Sequence, residues 1–251
     1  MRKSIPNLLT CLNLLSGTLG IIILLTSLGV GSTTNTLVAR LQSLPIDAAH
    51  LAFICVCCSA VFDFFDGFVA RLLGVTSPVG KELDSLADLV SFGILPTTAA
   101  FCMVSNQLEA VTSADTLRLI VELLVWVMVA FSALRLAKFN VDTRQSTSFI
   151  GLATPANALF WIGLFCSGCF HNIPWWLLFA GVLMSCYLLV CELPMFSFKI
   201  RSLKWTDAKF QILLAAGALV LIPIFGYLGL SLVVLWYLLL SLVKYFVDKA
   251  A

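Results

Sequence analysis

Long apolar blocks separated by short polar stretches run the length of this chain. They predict helices near residues 8–28, 48–73, 78–105, 117–139, 153–170, 175–192, 210–226 and 229–246. Each block reaches the roughly 17–25 apolar residues that a helix needs to cross a bilayer core. The first block follows Arg2-Lys3 and Pro6-Asn7 and is longer than a secretory signal core of about 7–15 residues, so it reads as a retained first span. Polar stretches at Ser32–Asp47 and Asn140–Ser148, and a basic linker at Lys199–Lys204, separate some of the blocks.

Composition narrows the class. Of 251 residues, 61% are hydrophobic and 11% charged, against about 25% charged in soluble domains. So few charges cannot cover a water-facing surface, which excludes soluble globular, coiled-coil and disordered classes. The expected fold is an all-α polytopic membrane protein of about eight transmembrane helices, with residues 1–251 forming one domain. A net charge of +2 suggests no nucleic-acid partner. The nine cysteines sit in apolar stretches, and Cys166-Cys169 lacks the second pair or His pair of a zinc site.

Lysine and arginine set the orientation. With the N-terminus inside and eight spans, thirteen of the fifteen basic residues fall inside, and only Arg40 and Arg118 fall outside. Both termini are then cytoplasmic. The basic cytoplasmic rim suits an anionic lipid surface or substrate.

Candidate chemistry concentrates in residues 63–88. Asp63 and Asp66 lie i, i+3 on one predicted helix, and Asp84 and Asp88 lie i, i+4 on the next, so each pair shares a face. Gly74 suits a left-handed helix end, and Ser77-Pro78 suits an N-cap and first helical turn, which makes the two helices an antiparallel hairpin. Asp66 would lie ~10 Å before Leu73 and Asp84 ~9 Å after Pro78, at equal depth below the cytoplasmic surface. Four aspartates facing lipid would cost on the order of 10 kcal/mol, so they are expected to face an interior with compensating cations. Hard oxygen ligands without His or Cys favour Mg²⁺ or Mn²⁺. Two such ions ~3.5–4 Å apart would clamp a transferring phosphoryl group. Arg71 offers a forked donor for phosphate oxygens, while Gly67, Ala70 and Gly80 keep the facing surfaces small. The rival reading is a structural ion-pair set with Arg71 and Lys81, but two cations do not balance five acids once Glu82 is counted.

The pattern Asp63-x2-Asp66-Gly67-x2-Ala70-Arg71-x8-Gly80-x3-Asp84-x3-Asp88, eight fixed residues over 26 positions, resembles the signature of the CDP-alcohol phosphatidyltransferase family. That resemblance implies a cytidine-diphosphate lipid donor, two divalent cations held by Asp63, Asp66, Asp84 and Asp88, and release of CMP. It implies Asp88 as general base toward the acceptor hydroxyl, and a homodimer. Ile5–Thr10 with Asn13, Lys81–Ser85, Leu89–Gly93, Ala133–Asn140, Phe149–Leu152 and Thr154–Ala158 are similar to the membrane-integral phosphatidylserine synthase branch. Ala153 departs from the proline common there. The branch implies CDP-diacylglycerol and L-serine as substrates; with the orientation above, the active site is expected at the cytoplasmic face of a bacterial inner membrane.

Asn7, Thr10 and Asn13 share one face of the first span and could contact the nucleotide donor; interhelical hydrogen bonding is the rival. Arg135 and Lys138, i, i+3 at the cytoplasmic end of the fourth span, could hold a carboxylate; anchoring and snorkelling are the rival. Thr154 and Asn157 could contact acceptor or cytidine, or merely cap a helix. The same chemistry on inositol phosphate or glycerol phosphate would want a tighter arginine cluster. A carboxylate-lined cation transporter would place acids near the midplane in two halves, whereas these lie near one face and occur once.

Overall fold

The computed structural model describes residues 4–27, 46–75, 77–111, 114–142, 149–196 and 205–250. The predicted loop over Ser32–Pro45, the later part of the stretch ending at Ser148, and the basic linker at Lys199–Lys204 lie outside the described residues. Helices α1 (Ser4–Ser27), α2 (Ala48–Leu72) and α3 (Pro78–Asp88) come first. A π-helical turn, Leu89–Ile94, then runs into α4 (Leu95–Val111). They are followed by α5 (Asp115–Val125), α6 (Val127–Val141), α7 (Thr154–Cys166), α8 (Trp175–Val190), α9 (Trp205–Phe225) and α10 (Tyr227–Ala250). Among the described residues the architecture is all-α apart from one antiparallel pair of two-residue strands, β1 (Phe149–Ile150) and β2 (Pro194–Met195).

Every predicted apolar block coincides with helix. Among the described residues, five stretches are long and apolar enough to cross a membrane: Ile5–Ser27, Ala48–Leu72, Pro78–Val111, Asp115–Val141 and Tyr227–Lys249. Thr154–Cys166, Trp175–Val190 and Lys209–Phe225 are shorter apolar helices. Two expected single helices are interrupted. The third carries the π turn directly after Asp88, and the fourth tightens at Trp126, whose N–H bonds the Leu123 carbonyl at 3.2 Å. The segment predicted over 153–170 ends its α-helix at Cys166, followed by a 3₁₀ turn at Cys169–Asn172.

Buried apolar side chains form the interior. Phe92, Leu95 and Ala99 meet Leu24 of α1, Val56 of α2 and Ile162 of α7. Trp161 of α7 packs with Met103, Met128 and Val182 from α4, α6 and α8, and its indole N–H donates to Ser185 at 3.1 Å. A third cluster joins Met195 and Phe196 to Phe210, Leu214 and Tyr237 of the last two helices.

Glycine decides how closely α1 approaches the π turn. A Cβ on Gly17 would sit 2.4 Å from Ser91 Oγ and 2.8 Å from Ser91 Cα. Backbone cannot yield there as a flexible side chain can. Gly17→Ala is therefore expected to destabilise the fold by about 1–3 kcal/mol, the usual range for overpacking. It should lower the thermal unfolding midpoint in detergent; an unchanged midpoint would show that the helices separate at no cost.

Candidate active site

The hairpin between α2 and α3 places the aspartates. Gly74 takes φ +61°, and its N–H bonds the Arg71 carbonyl at 3.2 Å while that of Val75 bonds the Ala70 carbonyl at 3.0 Å. These two bonds are the Schellman closure of a helix C-terminus. Ser77 then caps α3, accepting the Gly80 N–H at 2.8 Å, with Pro78 in the first turn. The chain reverses within a few residues, as its Gly and Ser-Pro signals require.

The reversal brings the two aspartate pairs face to face. One carboxylate oxygen from each of Asp63, Asp66 and Asp84 lies within 4.8 Å of the others. Asp88, one turn beyond Asp84 on α3, stands beside this trio. Asp66 is only 5% exposed. Asp84 Oδ1 is buried without a hydrogen-bond partner. Ion pairs among the described residues are His50–Asp47, Arg118–Glu109 and Arg118–Glu122, and none involves these aspartates. Each pair of charges at such a separation repels by roughly 3 kcal/mol at an effective dielectric near 20. Three clustered carboxylates with an unpartnered oxygen and no basic neighbour in contact fit a bound divalent cation.

Helix α1 buttresses the aspartates. The Thr10 hydroxyl donates to Asp66 Oδ2 at 2.7 Å. Asn13 Nδ2 donates to Asp88 Oδ1 at 3.2 Å, and Asn13 Oδ1 accepts from the Ser91 hydroxyl at 2.6 Å. That second bond fixes which end of the Asn13 amide faces Asp88. Asn13 is fully buried, so its side chain is engaged between helices, the alternative to nucleotide contact. The π turn supplies Ser91 to this network, a placement typical of π turns at functional sites.

A cavity of about 480 Å³ opens beside the trio. Asn7, Thr10, Asp66, Gly67, Ala70, Gly80, Lys81 and Asp84 line it. The small residues are thus where a bulky polar ligand needs them. Arg71 is exposed, outside that lining, and its Nη1 lies 3.9 Å from where a Cβ on Gly67 would sit. Lys81, considered in the sequence only as a neutralising charge, lines the cavity instead. Its Nζ donates to the Asn140 carbonyl at 3.0 Å, and Asn140 Nδ2 donates to Ser85 at 2.7 Å. These bonds tie α3 to the end of α6.

The remaining candidates gather at the end of α6. Arg135 is 7% exposed, donates through Nη1 to Thr154 Oγ1 at 3.4 Å, and lies over the Phe139 ring. Its Nε is buried without a partner. Thr154 opens α7 but does not cap it; the N-cap position is Ala153, which makes no side-chain cap bond. Asn157 is buried with its amide 3.7 Å from Met128 Sδ and its Oδ1 unpartnered. Lys138 is exposed, its Nζ 3.4 Å from the Val190 carbonyl.

The family model for CDP-alcohol phosphatidyltransferase matches residues 3–187. Over 223 residues the chain is 31% identical to a Mycobacterium leprae protein named CDP-diacylglycerol–serine O-phosphatidyltransferase, covering 82% of this chain and 70% of that one. Proteins of the same name from Helicobacter pylori and Bacillus subtilis are 36% and 35% identical, over 45% and 46% of this chain. Those two matches span 46% and 60% of the relatives' own lengths, about half of each.

Proposed function

The chain belongs to the CDP-alcohol phosphatidyltransferase family, and from that premise we propose that it transfers the phosphatidyl group of CDP-diacylglycerol to L-serine, giving phosphatidylserine and CMP. The observation that carries this reading is the trio of Asp63, Asp66 and Asp84 beside a nucleotide-sized cavity, with Asp88 next to it. The serine assignment draws on the names of the relatives. Residues 1–251 are read as one domain of eight membrane crossings, with both termini and the active site cytoplasmic, working as a homodimer.

Asp63, Asp66, Asp84 and Asp88 would hold two Mg²⁺ or Mn²⁺ ions. When bound, such ions neutralise charge on a diphosphate and on the oxygens entering and leaving the phosphorus. Asn7, Thr10, Gly67, Ala70 and Gly80 shape the donor cavity, and Arg71 approaches a phosphate oxygen from its rim. Asp88, steered by Asn13, takes the proton of the serine hydroxyl. The serine oxygen then forms a bond to the phosphorus bearing diacylglycerol, the bond to the CMP oxygen breaks, and CMP departs with that electron pair. Arg135, with Lys138, Thr154 and Asn157 nearby, holds the acceptor.

Purified protein incubated with CDP-diacylglycerol, Mg²⁺ or Mn²⁺ and single alcohols is expected to release CMP fastest with L-serine. Faster release with inositol phosphate or glycerol phosphate would overturn the serine assignment. Absence of CMP release with every alcohol would overturn the transferase reading.

A further inference from the structure

A second cavity, of about 270 Å³, lies at the end of α6, and four charged side chains line it: Arg135, Lys138, Asp142 and Glu192. Two are cations and two are carboxylates. Glu192 comes from a different part of the chain, two residues past the end of α8. Its position is held by a short strap. The Leu193 carbonyl accepts the Gly151 N–H at 3.0 Å, the Leu188 carbonyl accepts the Leu152 N–H at 2.8 Å, and β1 pairs with β2 immediately beyond. Gly151 has φ +72°, and a Cβ there would press within 2.9 Å of the Leu189 carbonyl and 3.0 Å of the Cys191 carbonyl. No other residue suits that site, so the strap ties the segment bearing Glu192 to the residues that lead into α7.

The charge pattern selects a ligand. Arg135 is more than nine-tenths buried, with its Nε unpartnered. A buried guanidinium with a vacant donor calls for an anion. Glu192, exposed at the cavity and in none of the ion pairs among the described residues, calls for a cation. A dianionic phosphate would meet two carboxylates along with the two cations; a zwitterion finds a partner for each end.

We propose that this cavity is the acceptor site and that Glu192 is a specificity-determining residue, binding the α-ammonium group of an amino-acid acceptor whose carboxylate is held by Arg135. The proposal rests on the serine reading above and adds the group that distinguishes an amino acid from a plain hydroxy acid. Selectivity then comes from opposed charges rather than from one basic cluster.

The test removes the ammonium from either side of the contact. CMP release by the full-length protein is measured with L-serine and with 3-hydroxypropanoate, which is serine without its amino group. The unaltered protein is expected to favour serine by about 10-fold or more in kcat/KM, because 3-hydroxypropanoate forgoes the charge-assisted hydrogen bond to Glu192. Glu192→Gln should lower kcat/KM for serine at least about 10-fold while leaving that for 3-hydroxypropanoate and the KM for CDP-diacylglycerol nearly unchanged. Glu192→Asp, which keeps the charge, should retain preference for serine and guards against a folding defect in the first variant. An equal loss with both acceptors, or none with either, overturns the role of Glu192 while leaving the serine reading intact. A preference of the unaltered protein for a phosphorylated alcohol overturns both.

Discussion

Replacing Asp84 by Asn is expected to cut CMP release by more than about 10²-fold and to raise the divalent-cation concentration needed for half-maximal activity. Loss of a residue that only supports a metal ligand already costs roughly 10–100-fold, and Asp84 is placed as a ligand itself. Its Oδ1 is buried without a protein partner, and its neighbours in the trio lie within 4.8 Å. The substitution keeps size and removes one charge, so it relieves repulsion of roughly 3 kcal/mol per pair. Without divalent cations the variant should therefore unfold at the same temperature as the parent or higher. Added Mg²⁺ or Mn²⁺ should stabilise the parent and stabilise the variant much less. That opposition, lower activity with undiminished cation-free stability, separates a ligand from a structural residue. Asp63→Asn and Asp66→Asn should behave alike, because their oxygens complete the same trio. Full activity in any of the three would sink the two-metal arrangement.

The hairpin that builds this trio was legible because its signals are local. Gly74, Ser77 and Pro78 each answer a backbone requirement at a helix end, and the observed closure bonds follow from them. Spacing likewise placed two aspartates on each face. What could not be read depends on contacts between distant segments. The π turn after Asp88 holds Gly93 and is followed by Pro96, which cannot donate to Phe92, but these residues do not by themselves name a π turn; it sits where Ser91 meets Gly17 and Asn13 of α1. Thr10 and Asn13 were recognisable as one polar face, but periodicity does not name a partner, and their partners are Asp66 and Asp88. Trp126 tightens a helix without Gly or Pro. Glu192 is the last residue of the predicted apolar block 175–192, and the pattern gave it no role. It reaches the cavity of Arg135 through a strap of two-residue strands, too short to leave an alternating pattern.

Arg135→Lys is the other change with a large expected effect. It should raise the apparent KM for serine on the order of 10-fold or more, with little change in the KM for CDP-diacylglycerol. Lysine keeps the positive charge on α6, and so keeps the topology signal, but it cannot present a planar fork to a carboxylate. A hydrogen bond to a charged group contributes about 1.5–3 kcal/mol, and a bidentate pair divides that over two donors fixed in one plane. Among the described residues Nη1 is engaged, at 3.4 Å to Thr154, while Nε is buried without a partner. The donor cavity is lined by other residues, from α1, α2, α3 and the turn between them, so donor binding has no direct contact to lose. The stacking of the guanidinium over Phe139 at 5.2 Å is also weakened, which contributes to stability rather than to serine affinity and should appear as a small drop in unfolding temperature. Steady-state kinetics with serine and donor varied separately decides between the roles. An unchanged KM for serine would return Arg135 to anchoring the cytoplasmic end of α6.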